Sequence, residues 1–414
     1  MSVINSRMLV AGSAVMIAGQ AIQVAVAFAA NLILVQYLSP AEFGRFALIL
    51  ASASLVLSVV SMRISTLVFR ASDGAFDEAT KQRYFTLIAI ETVAAGAIGL
   101  VWTALAGISG GWTAALVLAV CARHWLDQNK SFFERRMPYV RLGLLETGVS
   151  ILMHVASVVM VLSGVGAAAL YWREIIGVVL SFIGLGLLGG VSVFRLRLPD
   201  AAGWRRILGE IRGVWIDSAL DGAYQRLVIQ CAGLIGGDRA AGFFFQAQRL
   251  AVLPQQLLAP LAIRIVGNWF GRLEHPAPRI EARGKVLALL AIPLSGAALV
   301  TYFFADPIVP MVFGQAWAPA AEILAALSGF VLFSCLFEVL RAYCGITRHL
   351  RILLVGRIVQ YLATIAVVAW ALAGGGLDAV KLASGVSAGL IAAFLFVLIA
   401  LTRKELRERM RETA

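Results

Sequence analysis

The chain has 414 residues, of which 60% are hydrophobic and only 14% are charged, with a formal net charge of +12. An ordinary soluble domain is about half apolar and a quarter charged, so this composition excludes one and points to lipid. A net positive charge would suggest nucleic acid in a soluble protein; here its placement reads as membrane topology instead. Cys121, Cys231, Cys335 and Cys344 all lie in apolar stretches with no CxxC pair. They read as small buried hydrophobes, and neither a disulfide framework nor a metal site is implied.

In chain order, Arg7 precedes a first apolar stretch in which Ala27-Phe28-Ala29 has the look of a signal-peptidase site. The stretch runs from about Met8 to Leu34, well past a signal h-region of 7–15 residues, so it is read as an uncleaved spanning helix. A spanning helix takes about 20 mostly apolar residues. Such windows recur at roughly 9–36, 45–69, 84–106, 112–134, 139–162, 168–194, 213–235, 240–268, 284–304, 318–344, 350–372 and 379–402. The expected fold class is an all-α polytopic membrane protein of about 12 transmembrane helices in two six-helix bundles. Residues 1–196 form the N-terminal bundle, 197–212 a cytoplasmic basic linker, 213–402 the C-terminal bundle and 403–414 a basic cytoplasmic tail. The linker, with Pro199 and the Asp200-Ala201-Ala202-Gly203 run, carries basic residues and Trp204 suited to lie along anionic headgroups.

Counting Lys and Arg by alternate connections puts 26 of the 35 on one side and only Arg45, Arg173, Arg239 and Lys381 on the other. The positive-inside rule then places both termini in the cytoplasm. Tyr37, Trp102, Trp112, Trp172, Trp215, Trp269 and Trp317 fall at expected interfaces. Two outer hairpins echo each other: YLSPAEFGRFALI around Gly44 and IGGDRAAGFFFQA around Gly242. Repeats of this kind are a transporter feature.

Charged groups at bilayer depth cost at least about 2.5–3.5 kcal/mol each, so they face a cavity or a partner. Arg123, Arg226 and Arg249 fall near mid-depth, with Arg63 and Arg264 in the inner half. The acidic set is Glu91, Asp127, Glu146, Asp217, Asp221, Glu322 and Glu338. Asp217, Asp221 and Gln225 repeat at helical spacing, as do Glu146, Ser150, His154 and Ser157, and these stripes suggest a shared water-filled space between the halves. Each charge also has a structural reading: Arg123 and Asp127, four apart, can neutralise one another. Pro254 and Pro260 would kink their helix. No HExxH, Walker loop or GxSxG is present, and no cofactor or metal is expected.

NLILVQYLSPAEFGRFALI resembles the first hairpin of polysaccharide flippases of the O-antigen and exopolysaccharide (Wzx) type. These are members of the multidrug/oligosaccharidyl-lipid/polysaccharide (MOP) exporter superfamily. DGAYQRLVIQCAGLIGGDRAAGFFFQAQRLAVLPQQLL resembles their seventh and eighth helices, and FADPIVPMVFGQAWAPAAEILAAL their ninth-to-tenth hairpin. The resemblance implies transport, not catalysis: an undecaprenyl-pyrophosphate-linked oligosaccharide turned from the cytoplasmic to the periplasmic leaflet of the bacterial inner membrane. It also implies two bundles opening alternately around a cationic cavity. Where the family commonly has an acidic residue before the helix-seven arginine, this chain has Gln225, with Asp221 one turn away. The length argues against the 14-helix lipid II flippase branch.

A pyrophosphate needs fixed cations, and the arginine fork matches its oxygens. The expected substrate-binding residues are therefore Arg123, Arg226 and Arg249, with Arg63 and Arg264 guiding access. The candidate coupling carboxylates are Glu146, Asp217 and Asp221. Expected partners are membrane lipids, the lipid-linked oligosaccharide, and the polymerase and glycosyltransferases of the same pathway. Two alternatives stand beside this: a multidrug cation antiporter of the same superfamily, and a membrane-embedded glycosyltransferase or ligase.

Overall fold

A computed structural model describes residues 6–108, 110–136, 138–261, 269–270, 273 and 275–413, and among them no strand occurs. The helices are α1 (Ser6–Tyr37), α2 (Pro40–Val60), α3 (Ile64–Arg70), α4 (Glu78–Leu105), α5 (Gly111–Glu134), α6 (Tyr139–Leu162) and α7 (Ala168–Leu187). They continue with α8 (Ala201–Leu261), α9 (Pro276–Phe313), α10 (Ala320–Ala326), α11 (Ser328–Thr347), α12 (Leu350–Ala373) and α13 (Ala379–Thr413). Nine of these, among the described residues, are long and apolar enough to cross a membrane. The chain is an all-helical, multi-pass membrane protein. It divides into two compact units, one of Met1–Leu38 with Arg45–Gln230, the other of Ser39–Gly44 with Cys231–Ala414.

In the first unit, small residues set the close helix approaches. A Cβ on Gly19 of α1 would lie 2.6 Å from Thr147 Oγ1 of α6. One face of the first arm of α8 is tied to α2. Trp215 Nε1 donates to the Val59 carbonyl at 2.9 Å, and Gln230 Nε2 donates to the Leu48 carbonyl and Ser52 Oγ, both at 2.8 Å. Gly222, between them on that face, leaves room for Ser58.

The expected single helix over 45–69 is two. Arg63 adopts φ 58°, ψ 44°, a left-handed conformation that few non-glycine residues take, and α2 ends before it. Side chains of other helices take up the freed amides: Glu91 Oε2 accepts from Met62 N–H and Gln128 Oε1 from Ser65 N–H, each at 2.9 Å. Broken helices at membrane depth survive where neighbouring groups re-satisfy the backbone in this way. Part of the expected linker is also regular: α8 starts at Ala201, where Asp200 Oδ1 accepts from Gly203 N–H at 2.9 Å.

In the second unit, Ser39 and Glu42 form a capping box, with Ser39 N–H and Oγ both donating to Glu42 Oε2 at 2.8 Å. Gly44 and Gly242, noted for their matching hairpins, meet here. A Cβ on Gly44 would lie 1.6 Å from the Asp238 carbonyl oxygen, and one on Gly242 1.9 Å from that of Pro40. Helix α8 is interrupted beside this crossing, at Gly236 and Gly237. Helix α9 runs on through Pro307 and Pro310 to Phe313, so residues expected as an outer loop are helical. Trp317, expected at an interface, is core: it is 1% exposed and packs edge-on against Phe43 and Phe243. Near the chain end, Arg283 makes a two-pronged bond to Glu405 at 2.6 and 2.9 Å, and Tyr343 Oη donates to the same carboxylate at 2.7 Å.

Candidate functional site

Within the first unit a cleft of about 140 Å³ is lined by Leu50, Ser54, Ala119, Val120, Arg123, Glu174 and Val178. Its polar wall comes from α5 and α7. Arg173 Nε and Nη2 both donate to Glu174 Oε1, at 3.0 and 2.8 Å. Arg173 is 6% exposed, with its guanidinium over the Phe46 ring at 5.5 Å. The other carboxylate oxygen of Glu174 lies 3.9 Å from Arg123 Nη1. Gly177, one turn beyond Arg173, keeps this space open, since a Cβ there would come within 3.3 Å of Arg123 Nη1.

Two guanidiniums thus share one carboxylate, and the group carries one net positive charge. Arg173 holds Glu174 in a near-ideal fork, whereas Arg123 touches it at the edge of ion-pair range and stays 42% exposed. A loosely held arginine beside a polar cleft is equipped to donate several hydrogen bonds to an anion. The sequence offers Asp127, four residues on, as a structural partner for Arg123. In the structure Asp127 lies instead beside Lys130, at 3.8 Å. The sequence reading also counts Arg173 as a loop cation and passes over Glu174. Neighbours in sequence point to different faces of a helix, and only the length of the arginine side chain lets this pair meet, so spacing carries no signal for it.

The other expected residues are distributed as follows. Glu146 bonds Lys130 Nζ at 2.6 Å, and Glu134 approaches the same ammonium at 3.5 Å. With Asp127, three carboxylates surround one cation. His154 is buried and shares a 2.7 Å contact with the Ser150 carbonyl, which makes its Nδ1 the protonated nitrogen. Arg63 sits in the break between α2 and α3. Asp217 is 6% exposed, on a face of α8 about opposite the one that meets α2. Arg226 lies close to the α2-facing line of Trp215, Gly222 and Gln230. It is half-buried, its Nε has no hydrogen-bond partner among the described residues, and Asp221 is the carboxylate that acts on it. Arg249, in the second unit, is half-buried and engaged with its surroundings. Arg264 lies outside the described residues.

Two more arginines are buried against expectation. Arg357, counted with the inner connections, is 2% exposed, donates to Gln360 Oε1 at 3.0 Å and covers the Phe337 ring. Arg283, also counted there, is the buried partner of Glu405.

A family model described as "Polysaccharide biosynthesis protein" matches residues 33–322. The chain belongs to that family. No curated protein matches it in sequence. Among solved structures it is similar to the lipid II flippase MurJ in an inward closed conformation. The TM-score is 0.70 at 11% identity, over 94% of this chain and 87% of that one. It is also similar to an inward-facing multidrug resistance MATE transporter of the MOP superfamily, with TM-score 0.68 at 13% identity, over 96% and 99%. A third is a MOP superfamily transporter from Pyrococcus furiosus whose binding pocket is described as of reverse polarity, with TM-score 0.59 at 15% identity, over 96% and 95%. At these identities the likeness is one of fold. This polysaccharide biosynthesis family member has the fold of MOP superfamily transporters.

Proposed function

We propose that this protein is a flippase of polysaccharide biosynthesis, turning an undecaprenyl-pyrophosphate-linked oligosaccharide from the cytoplasmic to the periplasmic leaflet of a bacterial inner membrane by alternating access. The observation that carries the reading is the cleft of the first unit, where Arg123 is loosely paired, half exposed and backed by the rigid Arg173–Glu174 fork. Such a group can take a diphosphate oxygen without leaving a carboxylate stranded, because Glu174 keeps Arg173. Arg226 is a second cation with donor capacity to spare. Apart from the short α3 and α10, the helices outside the nine apolar ones are α5 and α8, and we read α5 and the two arms of α8 as completing twelve crossings with both termini inside. Moving a doubly negative headgroup outward, away from a negative interior, gains up to about 4–5 kcal/mol per 100 mV, so no nucleotide is required.

The test is the sidedness of the lipid-linked oligosaccharide in a strain lacking the gene. Cytoplasmic accumulation that the intact gene reverses, and Arg123→Ala does not, supports flipping. Normal sidedness in the deletion strain refutes it. A second reading, cation antiport, draws on the Lys130 cluster, where Asp127, Glu134 and Glu146 leave an excess of negative charge. Loss of resistance to organic cations in Glu146→Gln, with polysaccharide intact, would favour it.

A further inference from the structure

Between α7 and α8, residues 190–200 form no regular element, yet the segment is held firmly. Asn129 clasps Ser192 from both sides, its Nδ2 donating to the carbonyl at 2.7 Å and its Oδ1 accepting from the amide at 2.9 Å. Arg197 N–H donates to Thr86 Oγ1 at 2.7 Å. Phe194 points inward between Phe85 and Phe132, at 5.8 and 5.2 Å. Ile207 and Ile211 of the first turns of α8 enter the same apolar cluster and fix that helix beside the strap.

What faces away is unusual for a loop. Val193, Leu196 and Leu198 are 77%, 72% and 65% exposed, and Arg195, Arg197 and Arg205 are exposed among them. The two acidic groups are already engaged, Asp200 in capping α8 and Glu210 with Arg206. Bare aliphatic side chains alternating with arginines on a rigid strap suit neither water nor a protein interior. They suit the boundary where acyl chains meet phosphates, the apolar groups entering the first and the guanidiniums binding the second. The strap also belongs to the side on which the basic connections gather.

We propose that residues 193–206 form a docking surface for anionic phospholipid headgroups of the cytoplasmic leaflet. The strap's hydrogen bonds hold the arginines at a fixed height, so binding is specific to this surface and not a diffuse effect of net charge.

Native mass spectrometry of the full-length protein, titrated with phosphatidylglycerol or with phosphatidylcholine, tests this. Each exposed basic residue near an anionic surface is worth roughly a factor of five in affinity. The triple variant Arg195→Gln/Arg197→Gln/Arg205→Gln should therefore lose phosphatidylglycerol binding by at least about tenfold. The corresponding Lys variants should retain it, and phosphatidylcholine should bind weakly throughout. Equal binding of the two lipids by the unaltered protein would overturn the proposal. So would an unchanged affinity in the Gln variant, or an equal loss from Arg403→Gln/Arg407→Gln, which are exposed but lie outside the strap. A melting temperature matching that of the unaltered protein certifies the fold of each variant. None of these outcomes depends on what the protein transports.

Discussion

In a Glu405→Ala variant, the Arg283 guanidinium keeps its place against the Tyr343 ring but loses both carboxylate oxygens, at 2.6 and 2.9 Å. Arg283 and Glu405 are only 5% and 7% exposed at the side chain, so water cannot replace the lost partner without opening the structure. Tyr343 Oη is left without its acceptor as well. Removing one member of a buried pair costs about 3–5 kcal/mol, because the remaining charge is buried and uncompensated. For a unit of this size about 1 kcal/mol moves the melting temperature by 2–4 °C, so the expected drop is on the order of 10 °C. The assay is thermal melting of the purified protein in detergent, followed by size-exclusion fluorescence. A double variant, Arg283→Met/Glu405→Leu, removes both charges and should recover most of the loss, since apolar replacements of a buried pair are often neutral. If Glu405→Ala melts with the unaltered protein, or if the double variant is as unstable as the single one, the buried-charge argument is wrong.

Two further outcomes are expected. Alanine at Gly44 or Gly242 would put a Cβ within 2 Å of a backbone carbonyl oxygen that cannot swing aside; overpacking of this kind costs about 1–3 kcal/mol, so either variant should melt several degrees lower, while Gly209→Ala, where nothing lies near, should not. His349 has its pKa pushed below the ordinary 6.5, first by burial and then by the Lys404 ammonium 3.1 Å away. The unfolded chain then binds the proton more readily, so stability should fall as pH drops below 6.5, and His349→Asn should flatten that slope in melting curves taken across the window.

Much of the fold is legible in the sequence because lipid imposes a simple rule on it. Long apolar stretches become helices, and most of the expected windows do so within a few residues. Even the paired hairpins around Gly44 and Gly242 have a structural meaning, as the two backbones meet there. The break between α2 and α3 has a plain physical cause: a partner distant in sequence decides the local conformation. Nothing in Ser61-Met62-Arg63 says that a helix stops, because the acceptors that permit the stop are Glu91 and Gln128 on other helices. Residues 305–317 fall between two expected windows, yet α9 continues through Pro307 and Pro310 to Phe313. Arg173 and Arg357 looked like solvent cations, and each proves buried against an aromatic ring with a hydrogen-bonding neighbour in its own helix.

The candidate site follows the same logic from the other direction. The helices missing from the nine apolar ones include α5 and α8, which carry Arg123, Arg226 and Arg249. Each charge held at membrane depth lowers the hydropathy of its helix and must be offset by a partner or by a polar cleft. The offsets differ in kind. Glu91 is satisfied on both oxygens, by the Met62 amide and by His124 Nε2 at 3.1 Å, and so completes a structural joint. Glu146 is committed to Lys130 at 2.6 Å. Arg123 is different: Glu174, its carboxylate partner among the described residues, is already claimed more closely by Arg173, and its side chain is 42% exposed. A charge whose partner is bound more tightly to another group can exchange that partner at small cost. That property separates a group poised for a ligand from one that merely keeps the fold together, and it is read from distances that no spacing in the sequence encodes.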